Sequence, residues 1–458
     1  MMDPRYLEFL ARKAPRASSS GFEPDAMPDH LFDFQGAVAD FAVRQGRAGV
    51  YLDTGLGKTR IELEWASQCM RRTPGGKALI LTPLAVAKQM EREGQSLGYD
   101  CRIVRDQSDV RAGINICNYD RLDKLDAGSF GAVALDESGI LKSFNGATSS
   151  ALINAFAGHR FRLSATATPA PNDHMELGQQ SAFLGIMPAN EMLMRWFIND
   201  TKEASQQWRL KGHAQDDFWD WMASWSRMAQ SPEDLGFDGS RYVLPPLDVV
   251  RHKSHGSIKP VDGLFFTDVS ATNMHDVKRQ TSAARADIIA ALADNSDPFI
   301  AWCDTDNEAD ALKARLPGAV EVRGSMPIER KEENLEAFST GQVRVIITKP
   351  GIAGYGLNWQ HCHTMGFAGR SFSYELWYQA VRRSWRFGQT KPVTVHLAVA
   401  EGEDQIGRVI DRKAADHATM KAAMAKAMRR AVNRAAAHKI TYNPTHNGEF
   451  PTWLTSAA

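Results

Sequence analysis

Residues 53–59 read Asp53-Thr54-Gly55-Leu56-Gly57-Lys58-Thr59, a glycine-rich turn between a short apolar run at 49–52 and a helix-forming segment at 59–71. Glycines in such a turn let backbone N–H groups approach phosphate oxygens. The lysine neutralises β/γ charge, and the hydroxyl residue after it is placed to ligand Mg²⁺. The strict form of this motif has another glycine at position 52, where this chain has Leu52. ATP and Mg²⁺ are the ligands implied, with Thr54, Gly55, Leu56, Gly57, Lys58 and Thr59 around the nucleotide.

Working outward, short apolar runs alternate with helical patterns. Strands are predicted at 49–52, 77–82, 101–105, 114–117, 132–135 and 160–163, with helices at 35–45, 59–71 and 84–96. Continuous apolar strands separated by helices predict a parallel sheet covered on both faces. Asp136-Glu137 follows the strand at 132–135, so both carboxylates are expected at a strand end above the glycine-rich turn. Asp136 would hold Mg²⁺ through water, and Glu137 would orient or deprotonate the attacking water. The alternation resumes with a helix at 276–293 and strands at 299–303, 343–348, 364–367 and 393–398, which predicts a second α/β domain.

The second decisive stretch is 379–389, Gln-Ala-Val-Arg-Arg-Ser-Trp-Arg-Phe-Gly-Gln. A helix is predicted from about 374 to 384, and Arg383 and Arg386, three residues apart, then share one side of it. A phosphate turn in one domain and arginines from the other describe an ATPase that closes across two domains.

Bulk properties bound the rest. At 458 residues the chain is long enough for two or three domains. Lys+Arg and Asp+Glu number 54 each, so any nucleic-acid-binding surface must be local. Five scattered cysteines with no C-x-x-C pair argue for a reducing compartment and against a disulfide framework or zinc site. No apolar run reaches the length of a membrane span, and no secretory signal opens the chain; a cytoplasmic protein is expected. His361-Cys362-His363 reads as a strand end, because alternating side chains cannot all face one ion. The stretch from about 186 to 260, with Trp196, Trp208, Trp219, Trp221 and Trp225, reads as helical, its tryptophans packing rather than stacking on bases. The tail from 408 is basic and helix-forming, suited either to tracking phosphates or to a solvated face.

Together these motifs resemble superfamily-2 helicases and, within them, the Swi/Snf-type DNA translocases. Gln35 stands where that family reads adenine. Leu81-Thr82-Pro83 resembles its motif Ia, Asp136-Glu137-Ser138 with Ile140-Leu141-Lys142 its motif II, and Ser164-Ala165-Thr166 through Asn172 its motif III. Phe299–Cys303 resembles motif IV, Gly354, Gly356 and Asn358 motif V, and 379–389 motif VI. Ser138 replaces the usual histidine or alanine of motif II, a form similar to helicase-like proteins carried by bacteriophages. Arg227 stands alone where a pair of arginines is usual.

The resemblance spans roughly 31–410. It implies two tandem RecA-like parallel-sheet α/β domains with a helical Trp-rich connecting segment and a helical C-terminal tail. The expected boundaries are an irregular arm at 1–30, the ATP-binding domain at 31–185, the connecting segment at 186–260, the helicase C-terminal domain at 261–407 and the basic tail at 408–458. It further implies that Gly356 contacts the nucleotide and that Thr82, Pro83, Thr166, Thr348 and Gln379 contact nucleic acid or couple it to ATP. The expected function is an ATP-dependent motor on nucleic acid, duplex DNA first, in a bacterial cell and phage-encoded. An ATP-switched DNA clamp and the motor subunit of a replication or defence complex stay open as alternatives; an RNA helicase is disfavoured by the residues after Glu137.

Overall fold

The computed structural model describes residues 17–142, 146–170, 173–200, 207–254, 271–294, 297–354, 356–400 and 404–438. Two parallel sheets organise the chain. The first contains β1 (Arg47–Leu52), β2 (Lys77–Thr82), β3 (Cys101–Ile103), β4 (Gly113–Asn118), β5 (Ala132–Asp136) and β6 (Phe161–Ala165). After an antiparallel hairpin of β7 (Phe197–Asp200) and β8 (Gln207–Leu210), β9 (Ser226–Ala229) returns to this sheet. The order is β3-β4-β2-β5-β6-β1-β9. The second sheet is β10 (Leu247–Ser254), β15 (Val393–Ala400), β14 (Thr364–Phe367), β11 (Phe299–Trp302), β13 (Val345–Thr348) and β12 (Val320–Val322), in that spatial order. Every pairing within the two sheets is parallel. The sequence dictates this arrangement: β2, β4, β5 and β6 are buried nearly end to end, as strands covered on both faces must be.

Helices supply the covering layers. In the first domain these are α1 (Asp33–Gln45), α2 (Lys58–Met70), α3 (Leu84–Ser96), α4 (Ala147–Ala155), α5 (Leu177–Leu184), α6 (Ala189–Trp196) and α7 (Gln215–Trp225). In the second they are α8 (Ala271–Asp294), α9 (Asp306–Arg315), α10 (Ile328–Ser339), the single turn α11 (Pro350–Ala353) and α12 (Tyr374–Val381). Among the described residues, the second domain has one apolar cluster built around Ile300, Trp302 and Trp359 and another around Ile289, Phe299 and Leu312.

The Trp-rich stretch forms helices and also strands that its composition did not announce. Trp196, Trp219, Trp221 and Trp225 are buried, with the Trp196 and Trp221 rings stacked at 4.6 Å. Its continuation, β9, completes the first sheet beside β1, and β10 already belongs to the second. Thus β9 is the last strand of the first sheet and β10 the first of the second; position 261, the expected start of the second domain, lies outside the described residues.

The final helix, α13 (Asp404–His438), returns to the first domain. Met420, Met424, Ala427 and Met428 join the first domain's core, spaced as one helical stripe, while Ile410 packs with Tyr374 and Tyr378 of the second domain. The basic tail therefore spans both domains. Among the described residues, no helix is long and apolar enough to cross a membrane.

Candidate functional site

The glycine-rich turn joins β1 to α2, and Gly57, with φ 80°, caps that helix. A side chain at Gly57 would be strained at this φ and would push aside Gln35 Nε2, which a Cβ would meet at 2.1 Å. Gln35 is buried on α1; its Oε1 accepts from the Phe32 N–H at 3.1 Å, and its Nε2 donates to the Leu56 carbonyl at 3.1 Å. The first N–H groups of α2 have no partners within the helix and face the cleft with a positive dipole.

That cleft, of about 370 Å³, lies between the two domains. The first domain lines it with Gln35, Thr54, Gly55, Gly57, Lys58, Thr59, Asp136 and Glu137, and the second with Gly356, Asn358, Arg383, Arg386, Phe387 and Gly388. Residues 53–59 and 379–389, more than 300 positions apart in the chain, meet here. Lys58 Nζ donates to the Leu52 carbonyl at 3.0 Å. Burial lowers its pKa, against the opposing pull of Glu137, Asp136 and Asp53. Asp136 Oδ2 accepts from the Thr82 hydroxyl at 2.8 Å. Burial and the Glu137 carboxylate push Asp136 up to about 6. Glu137 has φ 52°, the one non-glycine residue with positive φ among those described, a conformation that costs about 1–3 kcal/mol. Its Oε2 accepts from the Thr166 hydroxyl at 3.1 Å.

The arginines reach the cleft by another route than expected. Helix α12 ends at Val381, so Arg383 and Arg386 lie in the turn beyond it rather than on one helical face. They still converge, because both donate to the Leu357 carbonyl, at 3.0 and 3.1 Å. Arg383 also donates to the Gln379 carbonyl and to Gln379 Oε1. Arg386 keeps a buried Nε without a partner, and burial together with Arg383 and Arg382 pushes it down to about 9.

The five residues assigned to nucleic-acid contact or coupling sit mostly inside. Thr82, Thr166, Thr348 and Gln379 are 0–1 % exposed, and Pro83 is half-buried at the start of α3. Thr348 donates to the Val322 carbonyl within the second domain, whereas Gln379 Nε2 donates across the domains to the Thr168 hydroxyl at 3.3 Å. Gly356 also crosses the boundary: with φ 70°, a side chain there would overlap Val86 on α3 at 1.8 Å. Asn172, part of the third motif, lies outside the described residues.

Residues 284–388 match the helicase conserved C-terminal domain. The second domain is therefore helicase-like. The matched span runs from within α8 to the end of the arginine turn, so it covers the second domain's share of the cleft, Gly356, Asn358, Arg383, Arg386, Phe387 and Gly388, and also the buried Thr348 and Gln379. No curated protein matches the chain.

Sequence reasoning passed over several residues of this interface. Arg382, next to the expected pair, donates to the Thr54 carbonyl at 2.9 Å. Lys142 donates across the domains to Glu375, and Lys88–Glu332 and Arg92–Glu336 pair α3 with α10 at 2.7 Å each. The site fits a magnesium nucleotide. Thr54 Oγ1 and Arg386 Nε are buried without partners, while the Thr59 hydroxyl and the Asp136 carboxylate supply the oxygen donors that Mg²⁺ prefers.

Proposed function

We propose that the chain is an ATP-dependent nucleic-acid motor that hydrolyses ATP to translocate along duplex DNA. The observation that carries this reading is the cleft itself, in which a phosphate-binding turn and an acidic pair face arginines delivered by a separate domain of helicase type. Lys58 would neutralise the β/γ-phosphates, with Thr59 and Asp136 holding Mg²⁺. Mg²⁺, when bound, neutralises charge on the phosphate oxygens. Glu137, held by Thr166, would orient the attacking water and take its proton. Arg386, with a free buried nitrogen, and Arg383 behind it would stabilise charge that develops only in the transition state. Gln35, bonded to both Phe32 and Leu56, would keep the turn in shape at the adenine end.

Movement would come from making and breaking the domain interface. Its outer ion pairs are partly exposed, and such pairs are each worth only about 0–1 kcal/mol, so hydrolysis has enough energy to separate them. Thr82, Thr166 and Gln379, being buried, would couple rather than touch nucleic acid: Thr82 and Thr166 hold the acidic pair, and Gln379 ties Arg383 to Thr168.

The test is steady-state ATP hydrolysis without nucleic acid and with single-stranded DNA, duplex DNA or structured RNA at low salt. Strong stimulation by duplex DNA is expected. Stimulation by RNA alone would replace the substrate, and turnover indifferent to all three would remove the motor.

A further inference from the structure

The phosphate-binding turn has a second face, directed away from the cleft. There Asp53, the first residue of the turn, is buried among four partners. Its Oδ1 accepts from the Thr54 N–H at 2.7 Å and from the Tyr378 hydroxyl, and lies 3.3 Å from Arg382 Nη2. Its Oδ2 has a single partner here, Lys421 Nζ at 3.2 Å. Lys421 also donates to the Tyr378 hydroxyl at 3.0 Å. Only Thr54 belongs to the first domain: Tyr378 and Arg382 come from α12 and the turn after it, and Lys421 from α13. Burial acts to raise the Asp53 pKa, but Arg382, Lys421 and Tyr378 outweigh it and hold the carboxylate below its usual range.

The helix that carries Lys421 is anchored on both sides of the boundary. Its methionine stripe is set into the first domain's core. Beyond the stripe, Arg429 pairs with Asp234 at 3.3 Å and Arg430 with Asp216 at 2.7 Å. Asp53 therefore keeps three of its four partners only while the second domain and the tail are docked.

We infer that Lys421 is a positioning residue for the phosphate-binding turn, and that the tail helix uses it to couple domain closure to the shape of that turn. This rests on the ATPase reading above. Lys421→Met keeps an apolar stem of similar length but leaves Oδ2 buried without its partner and the carboxylate with Arg382 as its one remaining cation, an arrangement that disfavours the closed junction. Opening the junction lets water reach Asp53 and relieves the cost. The loss should therefore fall on closure, not on ATP contacts, which lie on the opposite face of the turn.

The experiment uses the full chain with spin labels at Ser96→Cys and Thr340→Cys, on opposite walls of the gap between α3 and α10; all five native cysteines are buried. Without nucleotide, Lys421→Met is expected to shift the label distance upward, and Lys421→Arg to restore it. In hydrolysis assays Lys421→Met should lower kcat without nucleic acid about tenfold, the scale of one charge-assisted hydrogen bond. KM for ATP should change less than about twofold, and the most stimulating nucleic acid should bring kcat back to within about twofold. An unchanged label distance, a rise in KM alone, or a kcat loss that neither nucleic acid nor arginine repairs would overturn the proposal. If the unmutated chain hydrolyses no ATP with any nucleic acid, the motor reading falls, and the label distance decides the latch by itself.

Discussion

Lys58 and Asp53 sit five residues apart on one turn, yet their surroundings are opposite in kind. On the cleft side, Lys58 leans on backbone carbonyls, Arg386 has an unused buried nitrogen, and Thr54 Oγ1 has no partner. On the far side, both oxygens of Asp53 are satisfied by groups from three parts of the chain. Unmet hydrogen-bonding capacity in a buried place is costly and persists where a ligand is to complete it. Satisfied capacity drawn from separate domains marks a joint. The cleft face carries the groups proposed to meet a nucleotide, while the far face ties the turn to the second domain and the tail.

The largest effects should come from the cleft face. Lys58→Ala is expected to remove ATP turnover altogether, measured as phosphate release with saturating nucleic acid; near-normal hydrolysis would sink the phosphate-binding assignment. Glu137→Gln should bind ATP and turn it over at least about 10²-fold more slowly, the usual scale for losing a general base. Fast turnover by that variant would move the base elsewhere.

The two arginines sharpen the contrast. Arg386→Ala should keep ATP affinity and thermal stability while stimulated kcat drops about 10³-fold. Arg383→Ala should also lower the melting temperature, because it strands the Gln379 carbonyl and Gln379 Oε1, at about 1–3 kcal/mol for such a buried loss. Identical stability profiles for the two variants would erase the distinction between an arginine for chemistry and one for architecture.

How much of this was legible in the sequence follows from how local each signal is. Strands β2 and β5 are continuous apolar runs, and the phosphate turn and acidic pair are contiguous motifs, so each could be read within a few residues. Strand β9 could not: Ser226–Ala229 carries a serine and an arginine, and it is a strand because β1, about 170 residues earlier, offers it an edge. The spacing argument selected Arg383 and Arg386 and missed Arg382, because it assumed a helix that in fact stops at Val381. The Asp53–Lys421 contact joins positions 368 apart, beyond any pattern. One signal was there to be found. Met420, Met424 and Met428 recur at helical spacing inside a tail otherwise notable for its charge, and that stripe announces a buried face.

The smallest expected effect probes the joint through pH. His417 on α13 is buried against Tyr374 and Tyr378; burial, then the nearby Lys421 charge, push its pKa down to about 3. In the unfolded chain a histidine titrates near 6.5, so between those values the unfolded form binds the extra proton. The buried neutral imidazole therefore contributes its full stabilisation above about pH 6.5 and loses it progressively as pH falls toward 3, at up to about 1.4 kcal/mol per pH unit. Asp53, whose pKa is depressed, acts only below about pH 4, so the interval from 6.5 to 4 isolates His417 from it. His174, His361, His363 and His396 are shifted in the same direction, and the informative quantity is thus the difference between the unmutated chain and His417→Met. Thermal unfolding across that interval should show a shallower acid loss for the variant. Parallel curves would mean that the imidazole is already exposed, and that the tail is not held against the second domain as tightly as the Asp53 junction requires.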